Sequence, residues 1–328
     1  MMPPEKSQAK PVAQVSRMVS PAQKFDLRVL ASFQERSVSE ETRRAYRRVV
    51  KEFFTHFRFR HPAEIAPADI LAWREHLHTV KKSSAATVAL KLSVIRSMYD
   101  YLQLAGYVST NPALTKLVPP PALPEDLRGR ALTLKEVRHL LSGPDRSRPD
   151  GARDYALLLL MLKTSLRVSE ACGLKVSSVK WSHGRWVIKF KVKGGRQRTM
   201  PLPSEVKKAI DEYLKLDRSR RDNLHSDGPD SYIFQPLVNY RTLEFDRSLS
   251  AAMAWNLVRK WGAYTGVGKL SPHDLRRTAI TRALDQGLSY RQVQMMSGHR
   301  DPKTVMRYDH GRENMDQNAV NFLDYAEE

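Results

Sequence analysis

The stretch VPPPALP, residues 118–124, decides how this chain is organised, because four of its seven residues are prolines. Proline has a fixed φ and no backbone N–H, so this run cannot join a helix and stays extended and stiff. With 328 residues, the chain is also longer than one typical domain needs. We therefore predict a linker over residues 117–132 that joins two domains, one over residues 23–116 and one over residues 133–312.

On the N-terminal side of the linker, the sequence predicts a bundle of about four helices. Residues 1–22 are polar and lack apolar periodicity, which is typical of a flexible basic tail. From Ser39 onward, apolar residues recur at helical spacing and basic residues fill the other faces. A shorter helix follows around residues 68–78, and then a second long helix that Gly106 is suited to end.

Two groups of basic residues in this first domain are candidates for contact with DNA phosphates. They comprise Arg43, Arg44, Arg47, Lys81, Lys82 and Lys91. The arginines lie on the helix after Ser39, where nearly all charges are positive, and the lysines lie around the start of the second long helix. The alternative interpretation is a solvated charged face, which is the usual role of such runs.

On the C-terminal side, the sequence predicts helices that enclose one short β-hairpin. Thr133 and Glu136 have the spacing of a capping box, which marks a helix start. Residues 154–163 are apolar on most faces and predict a buried helix. Further helices are expected over residues 205–216, 248–262, 272–286 and 290–296.

The hairpin itself is predicted from alternation and a glycine pair. Apolar and lysine residues alternate over residues 186–193, as in a half-buried strand, and residues 197–202 form its partner. Gly194 and Gly195 supply the turn between them. Lys193 is therefore expected at the hairpin tip, on the polar face, where a ligand can reach it.

Composition points to a polyanionic partner. Lys and Arg total 55 against 35 Asp and Glu, which gives a net charge of +20 and a pI of about 10.1. An acidic lipid surface is the alternative, but the longest apolar run, residues 156–162, is far shorter than the ~20 residues that cross a bilayer. The first residues lack the apolar segment of a signal peptide. Because Cys172 is the only cysteine, we expect a cytoplasmic protein in which this thiol packs inertly.

Six polar residues of the second domain supply what breaking a phosphodiester requires, with no metal or nucleotide cofactor. They are Arg167, Lys193, His273, Arg276, His299 and Tyr308. Arginines grip phosphate oxygens bidentately and stabilise the charge of the transition state, and histidines move protons near neutral pH. A phenol, whose pKa is near ~10, needs such bases and cations to act as a nucleophile.

In this scheme Tyr308 attacks phosphorus and leaves a covalent 3′-phosphotyrosyl bond, while Lys193 protonates the leaving 5′ oxygen. His273 and Arg276 stand at i and i+3, which places them on one helix face. No metal site is expected, because neither His273 with Asp274 nor His299 with His310 has further ligands at usable spacing.

The second domain resembles the catalytic domain of the tyrosine recombinases, the phage-integrase and Xer-type family. Arg167 lies in that family's T-G-L-R-x-S-E block, with Ser165 in place of the glycine, and Lys193 precedes a glycine as the hairpin lysine does. The H-x-L-R motif is present at His273–Arg276, and Gly298-His299 is followed by the tyrosine at position 308. The chain departs from the pattern at Arg277, where many relatives have histidine, a position that bears on support of the site.

The resemblance implies a mainly α fold. It has a helical N-terminal core-binding (SAM-like) domain and an α-rich catalytic domain with a small antiparallel β-sheet, which together form a C-shaped clamp on DNA. The implied partner is double-stranded DNA with paired half-sites, bound by a homo-tetramer with no membrane. The implied reaction is site-specific recombination through a Holliday junction, for integration or excision of a mobile element or for resolution of replicon dimers. A type IB topoisomerase and a non-cutting DNA-binding regulator on the same fold are the alternatives.

The last segment, residues 313–328, is expected to form an amphipathic helix. Its apolar residues recur at i, i+4, i+7 and i+8, beginning at Met315. This stripe either folds back on its own domain or docks on a neighbouring protomer, as the corresponding helix does in the family. Docking in trans is the interpretation we favour, because a cyclic contact of this kind closes a ring.

Overall fold

The computed structural model describes residues 25–36, 40–122, 129–192, 195–220, 228–236, 247–309 and 319–322. The predicted tail at residues 1–22, the hairpin residue Lys193 and nearly all of residues 313–328 lie outside these ranges. The chain separates into two compact units, Met1–Pro124 and Glu125–Glu328.

The first unit is a bundle of helices around an aromatic core, which confirms the predicted class. Its α-helices are α1 (Ala31–Glu35), α2 (Glu40–His56), α3 (Pro67–Thr79) and α4 (Ala85–Leu104). Ser84 begins α4 by accepting a hydrogen bond from the Thr87 amide, and Gly106, with φ of 76°, follows its end. The rings of Phe53, Trp73 and Tyr99 are almost fully buried and pack edge to face.

The proline-rich stretch begins inside the core of this bundle. Val118 is fully buried in the aromatic core, although the sequence places it within the linker over residues 117–132. The Arg74 guanidinium donates to the Pro119 carbonyl at 2.9 Å, which fixes the next residue as well. Val118 lies in the core and not in the linker because its side chain is apolar, so its burial leaves no polar group without a hydrogen bond.

The second unit is mainly helical and is built around one buried helix. Its helices are α5 (Leu134–Ser142), α6 (Pro149–Thr164), α7 (Val168–Cys172), α8 (Ser204–Arg220), α9 (Ala251–Tyr264), α10 (Pro272–Asp285), α11 (Tyr290–Ser297) and α12 (Pro302–Met306). The capping box predicted at Thr133 and Glu136 starts α5. Helix α6 is buried on nearly every face and packs against α8 and α10. Its predicted burial is confirmed.

A three-stranded antiparallel sheet completes the second unit, in the order β1 (Val179–Ser182), β2 (Arg185–Lys191), β3 (Gln197–Pro201). The hairpin of β2 and β3 was predicted, and Gly195 in its turn has φ of 78°. Strand β1 was missed, although the turn at His183-Gly184 is visible in the sequence. Ile188 and Phe190 of β2 point into the core, so the predicted alternation is correct.

A buried polar network joins α6 to α9. Asp154 pairs with Arg153 at 2.7 Å and accepts a hydrogen bond from the Trp261 indole at 2.8 Å. The Arg153 guanidinium also donates to the Gln235 carbonyl at 3.1 Å. Because these charges are buried and paired, they fix how α9 lies on the central helix.

Candidate active site

Helix α10 carries two of the predicted site residues in its first turns. Pro272 occupies its first position, and the Ser271 amide donates to the Asp274 carboxylate at 2.8 Å, so the helix start is well defined. His273 is exposed, whereas Arg276 is only 3% exposed. The helix therefore presents the histidine at the surface and the arginine inside.

Arg276 is held by backbone carbonyls from two other segments. Its guanidinium donates to the Ser165 carbonyl at the end of α6 and, at 2.7 Å, to the Ser297 carbonyl at the end of α11. A further N–H group lies 3.0 Å from Nε2 of His299. These contacts fix the edge of the guanidinium against the C-terminal ends of two helices. The negative end of each helix dipole lies there and favours a cation.

His299 and Tyr308 stack on one another beside Arg276. Their ring centroids are 5.9 Å apart with an interplanar angle of 24°. Nε2 of His299 faces the Arg276 guanidinium, which can only donate, so Nε2 is the acceptor of the neutral ring. Nδ1 then carries the proton and lies 2.9 Å from the Ser297 hydroxyl. Tyr308 is 3% exposed and belongs to a small apolar cluster between α10, α11 and α12. The tyrosine thus reaches this site within its own chain.

Arg277 also belongs to this site. Its guanidinium lies 6.0 Å from the centroid of the Tyr308 ring, and the residue is buried. The Thr281 hydroxyl, one helical turn later, donates to the Tyr308 carbonyl at 3.5 Å. The position where this chain departs from the family motif therefore lies beside the tyrosine.

Arg167 approaches from the start of α7. Its amide and its guanidinium both donate to the buried carboxylate of Glu170, at 2.8 and 3.0 Å. The side chain is still 43% exposed, so an external anion can reach it. The turn before it requires the left-handed conformation at Ser165, where φ is 52°, and this is the position at which relatives carry glycine.

The electrostatics of the cluster show that these groups lie close together. Burial and the charge of Arg167 lower the pKa of Arg276 to about 10, and the phenol of Tyr308 opposes that shift. Burial, followed by the charges of Arg276 and Arg167, lowers the pKa of His299 to about 4. Partial desolvation and the charge of Arg276 lower the pKa of His273. The site therefore has an excess of positive charge, as an anion-binding site does.

One residue of this cluster was missed by the sequence interpretation. The Arg198 guanidinium, on the inner side of β3, donates to the carbonyls of Met295 and, at 2.7 Å, of Met296. A methyl group on Gly298 would lie 3.1 Å from its Cζ atom. The sequence did contain a signal for Arg198: it is a charged residue at a core-facing position of the predicted strand, opposite Phe190.

Among the predicted site residues, the structure thus brings together Arg167, His273, Arg276, His299 and Tyr308. Lys193 lies outside the described residues. Within the described part of the chain, no three His, Cys, Asp or Glu side chains are grouped as metal ligands. No helix there has both the length and the apolar composition to cross a membrane.

The basic residues of the first unit have varied surroundings. Arg43, Arg44 and Arg47 are all within 4.0 Å of the exposed Glu40 carboxylate, at 3.7, 3.3 and 2.7 Å. Lys81 and Lys82 are exposed. Lys91 is 14% exposed, and its ammonium lies 2.6 Å from Glu52, which joins α4 to α2. The pair at Lys91 therefore has a structural role whatever else the lysine contacts.

Comparison with known proteins identifies the family. The model of the phage integrase family matches residues 130–315, and the model of its N-terminal SAM-like domain matches residues 27–104. Tyrosine recombinase XerC of Thermodesulfovibrio yellowstonii is 30% identical over 275 residues, 83% of this chain and 86% of that protein. Tyrosine recombinase XerD of Neisseria meningitidis is 32% identical over 222 residues, 68% of this chain and 71% of that protein.

Solved structures share the fold. A Tn1549 transposon integrase in complex with circular intermediate DNA has a TM-score of 0.67 at 18% identity and covers 91% of this chain and 98% of its own. A lambda integrase dimer bound to a COC′ core site has a TM-score of 0.65 at 17% identity, covering 92% and 96%. With two family models, homologous recombinases and a tyrosine-centred cationic site in agreement, the chain belongs to the phage integrase family of tyrosine recombinases, enzymes that break and rejoin DNA.

Proposed function

We propose that this protein recombines DNA at specific sites by cutting one strand with Tyr308 and holding it as a 3′-phosphotyrosyl bond. The observation that carries this proposal is the stacking of Tyr308 on His299. The buried guanidinium of Arg276 lies 3.0 Å from Nε2 of that histidine. A phenol beside an imidazole and a cationic anion site is what attack on a phosphodiester needs.

The proposed roles follow from the contacts of each side chain. Arg276, pre-oriented by two helix ends, and the exposed Arg167 bind the nonbridging oxygens and stabilise the charge of the pentavalent transition state. The Tyr308 oxygen forms a bond to phosphorus as the bond to the 5′ oxygen breaks. The phenolic proton passes to His273, while His299, whose Nε2 faces Arg276, orients the phenol on which it stacks. Lys193 gives a proton to the leaving 5′ oxygen. The P–O bond to Tyr308 replaces the P–O bond to the 5′ oxygen and keeps its energy, so rejoining needs no nucleotide. The side chains complete the chemistry without a metal.

In the second half of the proposed reaction, the free 5′ hydroxyl of one duplex attacks the phosphotyrosine of its partner. Two such exchanges form and then resolve a Holliday junction. This requires four protomers on two paired half-sites, and residues 313–328 are proposed to link neighbouring protomers in trans. Integration or excision of a mobile element and resolution of replicon dimers are the proposed uses, and DNA as the substrate fits a cytoplasmic site of action.

The two domains, over residues 23–116 and 133–312 with the linker over 117–132 between them, are proposed to clamp the duplex from opposite sides. The cations of the first domain are proposed to contact DNA phosphates: Arg43, Arg44, Arg47, Lys81, Lys82 and Lys91. Of these, Lys91 also pairs with Glu52. Phosphate contacts supply most of the affinity of such proteins, so binding should weaken steeply with salt.

The test is covalent trapping on a nicked suicide substrate carrying one half-site pair. Tyr308→Phe should bind this DNA with unchanged affinity and form no denaturation-resistant adduct. Tyr264→Phe is the matched control: it removes the hydroxyl of a tyrosine that is 73% exposed at the end of α9, and it should trap DNA as the natural chain does. An adduct formed by Tyr308→Phe would contradict the assignment.

Supercoiled plasmid distinguishes the proposed function from topoisomerase activity. We expect recombination products only from plasmids that carry paired sites. Relaxation of an arbitrary plasmid to completion would favour a type IB topoisomerase. Specific binding without an adduct from the natural chain would favour a regulator that does not cut.

A further inference from the structure

The sheet of the second unit has an unusual charge. Residues 179–201 contain seven lysines and arginines and no aspartate or glutamate. On the solvent side, opposite Ile188 and Phe190, four of these cations are exposed and form what we call the cationic sheet face: Lys180, Arg185, Lys189 and Lys191.

The strand register places uncharged residues opposite the three lysines of this face. Lys180 faces Val187, Lys189 faces Thr199 and Lys191 faces Gln197. Among the described residues, none of these lysines forms an ion pair with a carboxylate. Lysines elsewhere in the same unit do, as Lys207 pairs with Asp211 at 2.5 Å and Lys175 with Asp230 at 3.3 Å.

The fold itself gives no reason for these charges. Lysines on edge strands prevent aggregation, but Lys189 and Lys191 lie on β2, the central strand of the sheet. Alternate residues of a strand lie about 6.7 Å apart on one face. At that distance two unit charges in water repel by about 0.6 kcal/mol, so in the free protein the arrangement is mildly unfavourable. With anions bound between the lysines, the electrostatic energy of the arrangement would become favourable.

We infer that the cationic sheet face is a second DNA-contact surface of the catalytic unit, which binds the sugar–phosphate backbone without reading bases. This inference rests on the proposed function, because it takes the polyanion to be the recombined DNA. The step of about 6.7 Å between Lys189 and Lys191 lets each lysine contact a separate phosphate of one strand. Strand β2 pairs with β3, and the Arg198 guanidinium of β3 donates to the carbonyls of Met295 and Met296 just before Gly298 and His299. The face would therefore align the backbone as it enters the site.

The test measures how affinity for half-site DNA depends on salt in the full-length chain. Lys189→Gln with Lys191→Gln removes two charges while keeping polar side chains on exposed positions. The matched control, Lys208→Gln with Lys215→Gln, removes two exposed charges from α8 of the same unit. Two lost phosphate contacts should reduce the slope of log affinity against log salt by about 1.8. Between 50 and 200 mM salt, the natural chain should then lose about tenfold more affinity than the sheet variant.

The control variant should keep the slope of the natural chain. On a duplex of unrelated sequence, the slope of the sheet variant should be reduced by the same amount as on half-site DNA. An unchanged slope, or equal losses in both double variants, would overturn the inference. In those cases adduct formation by the natural chain still supports the proposed function, whereas a natural chain that traps no DNA would contradict that function itself.

Discussion

Replacing Gly298 with alanine should damage the site through Arg198, a residue on another strand. Gly298 has φ of 70°, a conformation that costs a residue with a side chain about 1–2 kcal/mol. The new methyl would also lie 3.1 Å from Cζ of Arg198 and closer still to one of its nitrogens. The guanidinium must then shift, and we expect this shift to break its hydrogen bonds to the carbonyls of Met295 and Met296.

The size of this second effect follows from the two hydrogen bonds. Hydrogen bonds from a charged group contribute about 1.5–3 kcal/mol when well buried, and these are partly exposed, so about 1 kcal/mol each is reasonable. The total cost of Gly298→Ala is then about 3–4 kcal/mol in the natural chain. Where Arg198→Ala has already removed the guanidinium, only the backbone cost of about 1–2 kcal/mol remains. The double-mutant cycle should give a coupling of about 2 kcal/mol.

Unfolding by denaturant, followed through tryptophan fluorescence, measures these free energies in the second unit, since four of the five tryptophans follow residue 180. Adduct formation on the suicide substrate should also slow in Gly298→Ala, because the turn carries His299 into the site. An equal cost of Gly298→Ala with and without Arg198 would refute the proposed contact. If Gly298→Ala costs the predicted total of about 3–4 kcal/mol but keeps full cleavage activity, the role of this turn in positioning His299 is refuted.

Three further outcomes can be checked on the purified chain. Ser165→Gly should stabilise the second unit by about 0.5–1 kcal/mol in thermal unfolding, because Ser165 has φ of 52° and its hydroxyl makes only a 3.4 Å hydrogen bond. Stability should fall as the pH drops from 6.5 towards 4, because unfolding restores the pKa of His299 from about 4 to its ordinary value; His299→Asn should flatten this dependence in melts taken across that range. Trp261→Phe should cost about 1–3 kcal/mol in denaturant unfolding by leaving the buried Asp154 carboxylate without its indole donor at 2.8 Å, and an unchanged midpoint would contradict that account.

The helices were predictable because their signals are local. The Thr133–Glu136 capping box, the Gly106 stop and the alternation in β2 each act over a few residues, and each is found where the sequence places it. Strand β1 was missed because four residues carry too little periodicity to distinguish a strand from a loop. Val118 was assigned to the linker since burial against a distant core leaves no local signal.

By itself, the sequence determined the two-unit organisation around its prolines, the basic charge and the motif residues from Arg167 to Tyr308. Spacing and side-chain chemistry sufficed for these, because capping, alternation and phosphate affinity depend on residues close together in the chain. Only the tertiary structure decided that Arg276 is clamped by the ends of α6 and α11, that Tyr308 stacks on His299 within its own chain and that Arg198 fills the space beside Gly298. Those contacts join segments up to 111 residues apart, and packing between helices, which no short pattern encodes, brings them together.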